Sequence, residues 1–142
     1  TVATGHKINY QHHDREGWGE KIEWLNLADG FVKAKNENIP VMVVIHKMTC
    51  SACVYQKAWF SRSKKVESLS KNMVMVNLEV HEVPSLPEYT PDGAYVPRIL
   101  FFSPNGKFMP DVKMTYNPQY KYNYPGEIDL TNTMKTVIDK FR

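Results

Sequence analysis

The chain has 142 residues, two cysteines and a formal net charge of +3, with 42% hydrophobic and 23% charged residues. That length supports one domain with its own core, without metal or disulfide staples, and the composition is that of an ordinary globular protein. The weak charge, with Lys64-Lys65 as its longest basic cluster, argues against nucleic acid or an anionic membrane as the main partner. No apolar run approaches the roughly 18 residues that would span a bilayer.

Residues 1–17 carry His6, His12, His13, Asp14 and Arg15 with few apolar anchors, and read as a flexible tail. Residues 18–142 read as the domain. The chain opens on Thr1 and a polar segment rather than a signal peptide, which decides nothing about compartment. Ile22 and Trp24 alternate with Glu23 like a short strand. Asn26 then predicts an N-cap, with Asp29 three positions on, for a helix through Leu27, Phe31 and Ala34 that stops before Pro40.

Residues 41–45, all apolar and mostly β-branched, read as a fully buried strand. Residues 54–60 lack Gly and Pro and read as a helix, and Val66 and Leu69 extend helical structure to about residue 71. A second apolar run, 73–78, predicts a second central strand. Residues 80–97, with Pro84, Pro87, Pro91 and Gly93, form the longest loop. Residues 98–102 are a third strand, and Pro104-Asn105-Gly106 turns it into a fourth over 107–112, because Asn-Gly between apolar runs signals a hairpin. Tyr120, Tyr122 and Tyr124 alternate with polar residues over an extended stretch. Leu130, Met134, Val137, Ile138 and Phe141 then recur at helical spacing.

The two cysteines stand in Cys50-Ser51-Ala52-Cys53, where the buried strand ends and the helix begins. Unpaired backbone N–H groups and the helix dipole favour an anion there, so a thiol becomes a thiolate more readily. The spacing puts the second sulfur one turn away, able to attack a disulfide formed by the first. A zinc site would need His46 and His81 to complete about four ligands, and their spacing matches no familiar zinc pattern. The pattern predicts a dithiol redox site, with Cys50 as nucleophile and Cys53 as resolving thiol. His46, four residues before Cys50, reads chiefly as the strand leaving the core; as an imidazolium it would favour the Cys50 thiolate.

The order of elements, with C-x-x-C between the second strand and its helix, resembles the thioredoxin fold, a central mixed β-sheet flanked by helices in the α/β class. The closer resemblance is to the small endoplasmic-reticulum thioredoxin-like proteins, the thioredoxin domain-containing protein 12 and anterior gradient family. It is carried by Gly17-Trp18-Gly19 with Trp24, Ile45-His46-Lys47, Met75-Val76-Asn77-Leu78-Glu79, Pro91-Asp92-Gly93 with Tyr95-Val96-Pro97-Arg98-Ile99, and Asn117-Pro118 with Tyr120-Lys121-Tyr122.

The resemblance implies a protein-disulfide oxidoreductase of the secretory pathway, acting in protein folding in the endoplasmic-reticulum lumen without organic cofactor or metal. Its partners would be client proteins with thiols or disulfides, with glutathione or another oxidoreductase as electron partner; a monomer is expected. It also implies that Val96 and Pro97 face the C-x-x-C and bind substrate, with Pro97 cis. Two positions depart from the thioredoxin pattern. The buried acid usual six residues before the first cysteine is Val44, and the tryptophan usual before that cysteine is Thr49. The chain ends in Asp139-Lys140-Phe141-Arg142 rather than a K-D-E-L-type tail, which leaves two alternatives, a retention tail trimmed from this end or secretion. The competing reading of function is a non-enzymatic chaperone-like or signalling protein on the same fold.

Overall fold

The computed structural model describes residues 17–142, so the expected tail lies outside the described residues apart from Gly17. Three strands form the sheet: β1 (Val41–His46), β2 (Val74–Glu79) and β3 (Arg98–Phe102). They lie in the order β2-β1-β3, with β1 and β2 parallel and β1 and β3 antiparallel. Every residue of β1 is buried, as an apolar run in a central strand covered on both faces requires.

Two expected strands shrink to single bridges. Trp24 bridges Met75 at the free edge of β2, and Leu25 N–H donates to Met75 O at 3.0 Å. The strand cannot run on, because Asn26 already caps the next helix. At the other edge Phe108 bridges Phe102, and Met109 N–H donates to Phe101 O at 2.9 Å. The Asn105-Gly106 turn itself forms, with Gly106 at φ +84 and Ser103 N–H donating to Lys107 O at 2.8 Å. The fourth strand over 107–112 then fails at Pro110, which has no N–H for the ladder, and Val112 N–H turns back to Met109 O at 3.2 Å. The stretch around Tyr120, Tyr122 and Tyr124 is not a strand either, although Tyr122 and Tyr124 are buried.

Helix α1 (Leu27–Glu37) starts where expected, with Asn26 accepting the Asp29 N–H, and stops at Asn38 in the left-handed region. The helical run after the cysteines divides into α2 (Ser51–Phe60) and α3 (Lys64–Ser70), because the Ser63 side chain caps a new helix by accepting the Val66 N–H. Helix α4 spans Glu127–Lys140.

Strand alternation sorts the core into two faces. Met42, Val44, Met75, Ile99 and Phe101 pack with Phe60, Val66, Leu130 and Met134, placing α2, α3 and α4 on one side. Val41, Val43, Ile45, Val76 and Leu100 pack with Ala34 and Tyr89, placing α1 and the long loop on the other. Helix α1 sits close to the sheet at Gly30, where an added Cβ would come within 3.0 Å of Val74. The result holds the start of α2 at the C-terminal ends of β1 and β2.

Candidate active site

Cys50 is the N-cap of α2, with extended backbone, and its Sγ accepts the Cys53 N–H at 3.2 Å. The cysteine therefore takes the place of the side-chain oxygen that usually satisfies an orphan donor at a helix start. Cys50 is half-buried and Cys53 is 2% exposed, both as free thiols. Burial pushes the Cys53 thiol up to about 12, helped by its hydrogen bond with Cys50 and by the charges of Cys50 and Glu79, while the Lys47 backbone pulls the other way. Cys53 is thus held as a protonated thiol near neutrality, beneath a more accessible sulfur.

The Val96–Pro97 bond is cis, and the Cys50 thiol donates to Val96 O across 3.7 Å. Val96 N–H makes no hydrogen bond among the described residues. The loop carrying these groups is fixed by side chains whose roles the sequence did not reveal. Asp92 accepts Tyr95 O–H at 2.6 Å and Lys121 N–H at 3.0 Å. Tyr95 Oη in turn accepts Tyr122 N–H at 3.1 Å. Arg98, buried, donates to Tyr89 O at 2.9 Å and Tyr95 O at 2.6 Å. The motifs around Asp92 and Tyr122 are thus two halves of one clamp.

His46 corrects a sequence expectation. Rather than marking an exit from the core, it is 2% exposed. Its Nε2 lies 3.1 Å from Asn77 Oδ1 and its Nδ1 lies 3.2 Å from Glu79 Oε2, and its ring stands 5.1 Å from that of Trp18. Val44, two residues earlier, is fully buried among apolar side chains. Asn77 and Glu79 were missed by sequence reasoning, though two polar residues at period two in an apolar strand were a signal. His81 is exposed on a 3-10 turn (Val80–Glu82).

A cysteine pair at the start of a helix, facing a cis-proline loop on a mixed sheet, defines a thioredoxin-like protein, and the thioredoxin-like family profile matches residues 23–104. Anterior gradient protein 1 of Xenopus laevis is 35% identical over 122 residues, which are 84% of this chain and 66% of that protein. The anterior gradient protein 2 homolog of Homo sapiens is 31% identical over 124 residues, 86% of this chain and 70% of that protein. The chain belongs to the anterior gradient family, while spanning just under two thirds of the Xenopus laevis protein. A solved structure, that of the DsbH oxidoreductase, shares the fold at a TM-score of 0.58 and 15% identity, covering 99% of this chain and 97% of its own.

Proposed function

We propose that this protein is a thiol–disulfide oxidoreductase acting on protein disulfides, in folding within the endoplasmic-reticulum lumen. The observation that carries the reading is Cys50 at the α2 N-cap, bonded to Cys53 N–H and 3.7 Å from Val96 O. In the reducing direction Cys50 thiolate attacks a client disulfide, forming a Cys50–client bond and releasing one client thiolate, which takes up a proton. Cys53 loses its proton and attacks Cys50 Sγ, and the second client thiolate leaves and is protonated. Two electrons and two protons pass to the client, and the protein keeps a Cys50–Cys53 disulfide; the reverse course donates that disulfide.

Val96 supports the way a client is held. Its carbonyl and its N–H offer a short backbone edge beside the nucleophile, to which an extended client segment pairs as an added strand. Backbone groups are common to every sequence, so clients of many sequences are accepted. Reduction of insulin tests the reading: turnover that disappears in Cys50→Ser supports it, and an unchanged rate in that variant overturns it. The competing reading, a binding protein without turnover, draws on Val44, which leaves β1 without an acid to deprotonate Cys53.

A further inference from the structure

Cys53 must shed a proton before it attacks and regain one when it leaves, yet the β1 position that carries an acid in thioredoxins is Val44. The sheet face under α2 nevertheless ends in three polar side chains. Alternation puts His46 on the face of Met42 and Val44, and puts Asn77 and Glu79 on the face of Met75. The parallel register pairs Val44 with Asn77 and His46 with Glu79, gathering the three where β1 gives way to the Cys50 turn.

The hydrogen-bond chemistry of this group is restrictive. Asn77 Oδ1 accepts only, so His46 Nε2 carries a hydrogen toward it. His46 Nδ1 then faces Glu79 Oε2 at 3.2 Å. Either Nδ1 is protonated against a carboxylate, or a carboxylic acid donates to Nδ1; without that proton two lone pairs oppose each other. Glu79 Oε2 is buried without a well-formed hydrogen bond, while the Glu79 side chain also accepts the Glu82 N–H. The pair therefore has a place for one exchangeable proton, at the 2% exposed His46 and the 12% exposed Glu79 side chain.

We infer that His46 and Glu79 form a buried proton-exchanging pair for Cys53, supplied from β1 and β2 together where Val44 supplies nothing. The inference rests on the oxidoreductase reading above. When the disulfide opens, a client thiolate bonds to Cys50 Sγ, and Cys53 leaves with the electron pair of the broken S–S bond and takes the proton of the loaded pair. When Cys53 resolves a mixed disulfide, the unloaded pair takes its proton, which relieves the opposed lone pairs. Cys53 lies near both strands: the backbone of Lys47, next to His46, bonds its thiol, and Glu79 is the weakest of the groups that help keep it protonated. Glu82 is the titratable group bonded to the pair, its Oε1 accepting the Glu79 N–H at 2.8 Å; Lys47 and His81 are exposed chain neighbours, Cys50 begins α2, and Asn77 and Trp18 are neutral.

The test is single-turnover kinetics of Glu79→Gln and His46→Gln, following the Cys50–client mixed disulfide as it forms and as it resolves. General acid–base assistance contributes about 10²–10⁴-fold where it operates, so resolution should slow at least about tenfold and lose an inflection in its pH profile. Formation should stay within about threefold, and Glu79→Asp should recover part of the loss. Resolution within about twofold of wild type with an unchanged pH profile, or equal slowing of both steps, would overturn the inference. Should the substitutions prevent folding, ¹⁵N spectra of the His46 ring in the wild-type protein serve instead. The ring-nitrogen signals should differ between dithiol and disulfide states, and identical spectra would overturn the pair's role. Trapping by Cys53→Ser separates the two levels: no trapped client removes the oxidoreductase reading, whereas trapping with a neutral Glu79→Gln removes only the pair.

Discussion

The Cys50 thiol reaches the carbonyl oxygen of Val96, a residue 46 positions later, across 3.7 Å. That contact ties the first turn of α2 to the loop entering β3, so the Cys50 sulfur and the backbone edge beside it are held as one unit. The Cys53 N–H completes it from the other side, at 3.2 Å from the same sulfur.

This arrangement divides the labour between the thiols. Cys53→Ser should accumulate mixed disulfides with clients, because the resolving attack is lost, and Cys50→Ser should trap almost none. In the reduced protein, alkylation near neutral pH should be at least about tenfold faster at Cys50, since only thiolate reacts and Cys53 is both buried and held protonated. Mass spectrometry of non-reduced adducts reads both results; equal trapping by the two variants would reverse the assignment.

The elevated Cys53 also predicts how stability depends on pH. Its ordinary value is 9.0 and its value in the fold about 12, so between these the folded state keeps a proton that the unfolded chain releases. The stabilisation is complete below about pH 9 and is lost as pH rises through about 12, amounting to a few kcal/mol at most. Tyr89, pushed up to about 12 by burial, acts in the same window, as do Tyr95 and Tyr124, raised mainly by burial. The comparison must therefore be a difference. Between pH 9 and 12 the reduced wild type should lose several degrees more in Tm than Cys53→Ser. Parallel curves would count against a raised Cys53.

What the sequence disclosed follows the range of the interactions involved. Asn26 capping Asp29, the C-x-x-C at a helix start and the Asn105-Gly106 turn are local, and each was readable from neighbours a few residues away. The sheet edges were misjudged where one residue overrides a pattern: Asn26 starts α1 just after Trp24, and Pro110 ends pairing just after Phe108. His46 was misread because its partners, Asn77 and Glu79, come from another strand, and only the register of β1 with β2 brings them together. Asp92 likewise acquires its role from Lys121, 29 residues away.

That Asp92 clamp gives a third prediction. Asp92→Asn removes the carboxylate that accepts both Tyr95 O–H and Lys121 N–H. Hydrogen bonds to a charged group contribute about 1.5–3 kcal/mol, so urea unfolding should show a loss of roughly that size. Because the clamp positions Val96, turnover of a protein disulfide should fall more than turnover of a small-molecule disulfide, which needs no backbone pairing. Tyr95→Phe, which deletes the hydroxyl between Asp92 and Tyr122 N–H, should show the same ordering. Equal losses on the two substrates would mean that the loop does not hold clients.

The last prediction places an acid where the thioredoxin pattern has one. Val44 is fully buried, opposite Asn77 on β2 and Ile99 on β3, and shares its sheet face with His46. In Val44→Glu the carboxyl enters an apolar cluster, and burying an unpaired polar group there should cost about 2–5 kcal/mol, read as a lower urea midpoint. The rate of initial attack by Cys50 should be nearly unchanged, since its accessible sulfur does not depend on that face. Resolution by Cys53 should accelerate, because a second group can now take its proton. The gain should be larger when Glu79→Gln is also present, since the introduced acid then has no competitor. Such a dependence of one position on the other is what two groups serving the same proton would produce. If resolution is unchanged by Val44→Glu in both backgrounds, position 44 has no part in moving the proton, and its apolar side chain serves only the core.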